Sequence, residues 1–483
     1  MVRALVVDVG TTSVRTGIVE SDGSVGFIHQ RPLTVTSPQP GEVELDAREI
    51  GALSLELARL SLRDGGPCDV VGIANQRATT IVFDPATGEP VGPALGWQDL
   101  RTVIDCLVLQ GHGLRLAPNQ SATKAKWLVE QSGRPASELK FATIETYVAW
   151  ILSEGAIHVT DHSNAGVNGL VNLDVEWDHE VIEVLQLDHA MLPTIVSTMG
   201  DVGPATALAG APRITALIGD QPASLFGQSC VTPGSTKITF GTGAMLNLVR
   251  GPEGPDRMTR FSSGCFPIVA QSREQSKTWG VEGIVLSAGT CIEWLRDDLG
   301  LIADPAETET LALSIASSDG VFFVPALLGL GTPQWDFGAR GAFFGLTRGS
   351  TKAHLVRAVL EGIAHRGADL VAAAEEETGT TISELRVDGG MTRNRFLVQT
   401  LADVTGCTVA VSPEREATTR GAGLMALVAV GALSLDDVAA NWHPTEHYVP
   451  TTTVEERRQA RAQWANIVAR AEATIPDLSA VAF

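Results

Sequence analysis

Short apolar runs, each closed by glycine or by small hydroxyl residues, mark out the first part of the chain. Ala4-Leu-Val-Val-Asp8 is closed by Gly10-Thr-Thr-Ser13, which predicts a buried strand followed by a tight turn. Val14 to Glu20, then Ser21-Asp-Gly23, then Val25 to His29 predicts a hairpin turning at Asp22-Gly23. Glu49 to Leu62 has the apolar spacing of a helix. Val70 to Ala74 predicts a strand ending at Asn75-Gln-Arg77, and Thr79 to Phe83 predicts another.

A comparable unit starts later. Ser235 to Phe240 predicts a strand, Gly241-Thr-Gly243 a turn, and Ala244 to Val249 a second strand. A strand, a Gly/Thr turn and a second strand therefore occur twice. This points to two similar halves, the second starting near residue 229. The competing reading is chance recurrence of such turns in a chain with 49 glycines. Further on, Leu385 to Asp388 predicts a strand, Gly389-Gly390 a turn and Arg395 to Thr405 a helix. Thr418 to Val430 is small and apolar, as expected of a helix packed tightly on a sheet. Glu455 to Ala473 predicts a closing amphipathic helix. Strands and helices mix throughout, so the fold class is α/β.

Length changes this picture. A single core stops growing at roughly 250–300 residues, so 483 residues point to two domains. The formal net charge is −21, from 35 basic and 56 acidic residues, which argues against a nucleic-acid binder or an anionic-membrane binder. It leaves room for a phosphate ligand held by backbone N–H groups and a metal ion. The six cysteines lie far apart without a CxxC pair, which predicts reduced, mostly buried thiols rather than a zinc site. With no signal-peptide pattern after Met1 and no apolar run long enough to span a bilayer, the expected location is the cytoplasm.

Phosphoryl transfer needs a cradle for the phosphates, a metal and a base beside the acceptor hydroxyl. In Asp8-Val-Gly-Thr-Thr-Ser13 a strand-end carboxylate can orient Mg²⁺, Gly10 lets the backbone approach, and the hydroxyls can donate to phosphate oxygens. The alternative for this segment is a plain hairpin entry. No GxxxxGK[ST] element is present, so the chain is not a P-loop enzyme. Gly241-Thr-Gly243 and Asp388-Gly-Gly390, followed by Asn394, are turns that would allow close approach to a nucleotide. Asp220, in Ile218-Gly-Asp-Gln221, is the candidate base.

Taken in order, Asp8-Val-Gly-Thr-Thr-Ser13, Asn75-Gln-Arg77, Thr123-Lys-Ala-Lys-Trp127, Gly219-Asp-Gln221, Gly241-Thr-Gly243 and Asp388-Gly-Gly390 resemble the FGGY carbohydrate kinase family. The segment from Gly341-Ala-Phe-Phe-Gly-Leu346 to Ala358-Val-Leu-Glu361 is similar to that family's C-terminal signature. Within the family the likeness is greatest to glycerol kinases, through Ala74-Asn-Gln-Arg77, Gly96-Trp-Gln98, His158-Val-Thr-Asp161, Ile292-Glu-Trp-Leu-Arg-Asp297 and Gly331-Thr-Pro-Gln-Trp-Asp336.

The resemblance implies two ribonuclease-H-like α/β domains of the actin/hexokinase superfamily with an interdomain cleft. Residues 1–228 would hold the acceptor and phosphate loop, and residues 229–483 the nucleotide. It implies ATP and Mg²⁺ as cofactors and leaves a homodimer or homotetramer open. Asp8 would lie near the metal, and Thr11, Thr12, Ser13 and Arg15 near the transferred phosphate. Gly241, Thr242, Gly289, Gly390 and Asn394 would serve ATP. Arg77, Trp97, Asp220 and Gln221 would face a small polyol or sugar, with Asp220 as base.

Three positions depart from the glycerol kinase pattern. Ala78 stands where those kinases usually have Glu, Asn119 where they have Tyr, and Met245 where they have Phe. The resemblance places all three at the acceptor pocket, so a tetritol, pentitol or ketose is the expected substrate, with glycerol itself as the alternative. The segment Leu208 to Arg213 lacks the lysine of the fructose-bisphosphate loop, so that form of inhibition is not expected. The alternative from another class is a non-catalytic nucleotide or sugar sensor, which loss of Asp8 or Asp220 would favour; both are present, which favours the kinase. A filament-forming or chaperone ATPase would not need the Arg77, Trp97, Asp220 and Gln221 set.

Overall fold

The structure is a computed structural model that describes residues 2–414 and 416–480. Strand Ala4–Val9 (β1) is buried along its whole length, as its nearly unbroken apolar sequence requires of a strand covered on both faces. It pairs antiparallel with Ser13–Val19 (β2), which continues antiparallel into Val25–Pro32 (β3). The β2–β3 turn uses Gly23 at φ 80°, and the Asp22 carboxylate accepts the Ser24 N–H. Helix Ala47–Gly65 (α1), capped by the Asp46 carboxylate, buries Ile50, Leu57 and Ala58 in the core beneath β1. On its other edge β1 pairs parallel with Val70–Asn75 (β4). Met199–Pro204 (β5) borders Arg213–Gly219 (β6) antiparallel, and β6 pairs parallel with β4. Helix Asp220–Gly227 (α2) follows directly.

The pairing scheme then recurs. Thr236–Phe240 (β7) is flanked by Ala244–Gly251 (β8), antiparallel, and, after Phe266–Arg273 (β9) and Ser276–Val285 (β10), by Glu384–Asp388 (β11), parallel. β8 pairs antiparallel with β10, and β11 pairs parallel with Thr408–Val411 (β12). The N-terminal order β3-β2-β1-β4-β6 is thus repeated as β10-β8-β7-β11-β12. The two half-sheets meet edge to edge at the single pair Met199–Arg273.

Helices Gly289–Asp297 (α3), Lys352–Thr378 (α4) and Arg395–Thr405 (α5) belong to the C-terminal half, where α4 runs through the largest core cluster. Helix Ala417–Ala429 (α6) follows β12 in sequence but covers the N-terminal sheet. Ala422 and Leu424 to Val428 share a core with Val6, Val19, Val70 and Ile218. α6 also crosses α2 at backbone contact. A Cβ on Gly421 would lie 1.8 Å from the Ala223 carbonyl oxygen, and one on Gly227 would lie 1.9 Å from that of Ala417.

The expected strand at 79–83 is shorter than its pattern and lies outside the main sheet. Ala78 adopts φ 61° and turns the chain away from β4, and only Ile81–Phe83 is extended, paired with Lys140–Ala142. The closing helix spans Val454–Ala471, with Thr453 and Glu456 forming a capping box. All six cysteines are free. No helix among the described residues is long and apolar enough to cross a membrane.

Candidate active site

Parallel pairing brings three motifs to one edge. Register sets Val9 beside Asn75 and Asn75 beside Gly219, so Asp8, Asn75-Gln-Arg77 and Gly219-Asp-Gln221 emerge together at the carboxyl ends of β1, β4 and β6. Ligands of open α/β sheets bind at such an edge. A short helical turn, His162–Ala165, braces two of these loops. The Asn164 amide exchanges hydrogen bonds with that of Asn75 (2.9 and 3.0 Å), and Ser163 Oγ accepts the Gly219 N–H at 2.8 Å. Asp161 caps that turn, which gives the His158-Val-Thr-Asp161 segment a structural purpose.

Arg77 stands between two carboxylates. Its Nη2 donates to both oxygens of Glu282 (2.9 and 2.7 Å), while its Nε lies 3.5 Å from Asp220 Oδ1. Asp220 Oδ1 also accepts the Gln221 N–H at 2.8 Å. The Asp220 side chain keeps 30% exposure. Crowding by protein still raises its pKa, opposed by the Arg77 charge and reinforced by Glu282. The buried Lys237 donates to Gln221 Oε1 (2.9 Å) and Thr239 Oγ1 (2.7 Å). Asn247 donates to Glu282 Oε2 at 2.9 Å. Glu282, Lys237 and Asn247 were missed by motif reasoning. Each is a polar residue within a strand, and no local sequence signal set it apart from the other polar residues of those strands.

Trp97 is half-buried and donates through Nε1 to Thr11 Oγ1 at 3.3 Å, which ties it to the β1–β2 turn. Lys124, from the Thr-Lys segment, is fully buried and donates to the Gly96 carbonyl at 2.7 Å, fixing the residue before Trp97. Ala78 is buried, and its carbonyl accepts from Ser121 Oγ at 3.1 Å, so it is tied to the turn that carries the exposed Asn119. Met245, half-buried on β8, lies two residues from Asn247 and so shares its face.

Asp8, at the end of β1, is 6% exposed. Burial pushes its pKa up to about 6, against the nearby Arg15 charge and the hydrogen bond from Thr419 Oγ1 (3.0 Å). Arg15 lies 3.7 Å from Asp8 and 2.5 Å from Glu416. Ser13 Oγ accepts from Gln30 Nε2 at 2.9 Å, and Thr12 is exposed at the turn. In the C-terminal half, β7 and β11 end together, since Thr239 pairs with Asp388. Gly389, at φ 96°, passes so close that a Cβ would lie 2.2 Å from the Phe240 carbonyl oxygen. The α3 start packs on the same turn, with the Gly289 N–H donating to Gly241 at 2.9 Å and the Thr242 carbonyl accepting from Ala288 at 2.9 Å. Gly241, Thr242 and Gly390 are exposed, and no atom stands within 4 Å of where a Cβ on Gly390 would be. Asn394 differs from these. Its amide oxygen caps α5 at the Leu397 N–H, and its nitrogen donates to Thr308, so both polar ends are engaged by protein.

Two similar half-sheets, a hydroxyl-rich strand turn beside a buried aspartate in one and glycine turns at the matching edge of the other define a two-domain phosphotransferase fold. The model of the N-terminal domain of the FGGY family of carbohydrate kinases matches residues 3–227, and that of its C-terminal domain matches residues 236–430. The chain is 39% identical over 489 residues to a glycerol kinase of Dechloromonas aromatica, covering 96% of this chain and 97% of that one. It is 38% identical to one of Aromatoleum aromaticum, covering 97% and 98%. Among solved structures it is similar to Plasmodium falciparum glycerol kinase with ADP, at a TM-score of 0.90 and 26% identity, covering 98% of each chain. A ligand-bound xylulose kinase from Lactobacillus acidophilus matches in fold at a TM-score of 0.87 and 20% identity, over 99% of this chain and 100% of that one. The chain belongs to the FGGY family of carbohydrate kinases and is an ATP-dependent phosphotransferase.

Proposed function

We propose that this kinase transfers the γ-phosphoryl group of ATP to a hydroxyl of a small polyol or ketose, with a tetritol, pentitol or pentulose preferred over glycerol. The observation that carries this reading is the cluster of Arg77, Asp220 and Gln221 at the same sheet edge as Asp8 and its hydroxyl-rich turn, where Thr11 accepts from Trp97. Arg77 and Gln221 would orient vicinal hydroxyls. Asp220 would take the proton of the attacking hydroxyl as general base, through Oδ2, the oxygen that the Gln221 N–H leaves free. Ala78, Asn119 and Met245 offer neither the carboxylate nor the aromatic walls of the glycerol kinase pattern, which leaves a larger and more polar pocket end. A true glycerol kinase is the second reading, favoured by the two relatives named above.

The residues present suit Mg²⁺. Asp8 is a buried strand-end carboxylate, and the buried Asp388 has an oxygen, Oδ1, without a hydrogen-bond partner. Hard oxygen donors of this kind suit that ion. Asp8 would hold it, and when bound it would neutralise charge on the transferring phosphate. Thr11, Thr12, Ser13 and Arg15 would grip the same phosphate from the β1–β2 turn. The expected location is the cytoplasm.

The test is a panel of glycerol, erythritol, ribitol, xylitol and pentuloses with ATP, read as kcat/KM. Glycerol as the best substrate would make the three pocket departures tolerated drift. Asp220→Asn should lower kcat by about 10²–10⁴-fold while the KM for ATP stays near wild type. Wild-type turnover by that variant would remove Asp220 from the mechanism.

A further inference from the structure

Arg77 is contested. Glu282, on β10 of the C-terminal half, is 5% exposed and receives Nη2 on both oxygens, whereas Asp220, at the start of α2, has Nε only at 3.5 Å. Among the described residues, two ion pairs join the N-terminal and C-terminal halves: this one and Arg15–Glu416. The grip of Glu282 is itself braced. Register places Lys237 beside Asn247 and Asn247 beside Glu282 across three adjacent strands, so their side chains share one face. Asn247 donates to Glu282 Oε2, and Lys237 holds Gln221, the residue next to the base.

A guanidinium drawn fully onto Asp220 would form a bidentate pair with it. Such a pair would occupy both carboxylate oxygens and stabilise the ionised form, leaving a poor proton acceptor. The side of Arg77 facing Gly219 is already tight, since a Cβ on Gly219 would lie 2.4 Å from Arg77 Cδ. The guanidinium is therefore pinned at its stem and its direction is set at its tip. We infer that Glu282 is a positioning residue that holds Arg77 off the general base, so that one carboxylate keeps the other free for the acceptor hydroxyl. This inference rests on the proposed role of Asp220.

Two single variants and one double variant test it, measured on the best acceptor of the wild-type panel. Glu282→Gln should lower kcat at least tenfold and raise the acceptor KM, with the ATP KM within twofold of wild type. Removing the displaced guanidinium as well, in Glu282→Gln/Arg77→Gln, should recover kcat several-fold over Glu282→Gln alone while the acceptor KM stays high. A merely structural role for Glu282 cannot produce that recovery. Glu282→Asp keeps the charge and should fall between wild type and Glu282→Gln, which covers the case where the glutamine variant folds poorly. The inference is overturned if Glu282→Gln retains kcat within twofold, or if the double variant is no faster than the single one. An Asp220→Asn enzyme with wild-type kcat would instead sink the base assignment itself, and the two failures are told apart by that variant.

Discussion

The crossing of α2 and α6 makes Gly421→Ala the most demanding test of the architecture. In a free helix interior this change should stabilise by up to about 1 kcal/mol, because alanine has the higher helix propensity. Here the added Cβ would sit 1.8 Å from the Ala223 carbonyl oxygen, and ordinary contact begins near 3.4 Å. The helices must part by roughly 1.5 Å, and neither contact atom is a side chain that can rotate away. Overpacking of this kind typically costs about 1–3 kcal/mol, so the sign of the effect reverses. The displacement also reaches the site. α2 begins at Asp220, and α6 carries Thr419, which donates to Asp8. A misplacement of about 1 Å can cost 10²-fold in rate. Thermal unfolding and kcat should therefore fall together in Gly421→Ala and in its counterpart Gly227→Ala. Gly111→Ala is the control, since nothing lies within 4 Å of its Cβ position. A Gly421→Ala enzyme with a raised Tm and unchanged kcat would refute the reasoning.

Restoring Ala78→Glu, Asn119→Tyr and Met245→Phe together should shift kcat/KM toward glycerol by at least tenfold relative to a pentitol. An unchanged ratio on the same panel would show that these positions do not set specificity. Glu145 is buried beside Asp161, and burial, then the Asp161 charge, pushes its pKa up from 4.5 to about 7. Stability from its protonated form is present below the unfolded value and lost as pH rises through about 7. Glu145→Gln keeps an oxygen for Thr143, Thr146 and Thr160, so it should raise Tm at pH 8 and leave it near wild type at pH 5. An equal shift at both pH values would contradict this.

How far the sequence could be read depended on the range of the physics involved. The β1–β2 and β7–β8 turns, the Asp22-Gly23 hairpin and the helices at 395–405 and 417–429 are specified by a few consecutive residues, and all were legible. The small residues of α6 announced close packing, but not against which sheet, because its partner strands lie more than 190 positions earlier in the chain. Asn394 stood in a nucleotide motif, yet its side chain behaves as the N-cap that its place before a helix also permits. Ala78 stood out as a departure from the glycerol kinase pattern, but its left-handed conformation, which takes 81–83 out of the main sheet, was not legible.

Lys237, Asn247 and Glu282 show why the rest of the site stayed hidden. Each is a buried polar residue on a strand of the C-terminal sheet, and taken alone each would be an unfavourable burial without a partner. Their compatibility appears only when register sets them side by side, Lys237 to Asn247 to Glu282, and when Arg77 arrives from the other half of the chain. Partners from both halves meet in this row, Arg77 and Gln221 from one and Glu282 and Lys237 from the other, so the C-terminal sheet and the N-terminal strand-end loops specify one another. The strand-end motifs carry the groups proposed to face ligand. This row, invisible to motif matching, holds Arg77 and Gln221 at the distances where those groups can act together.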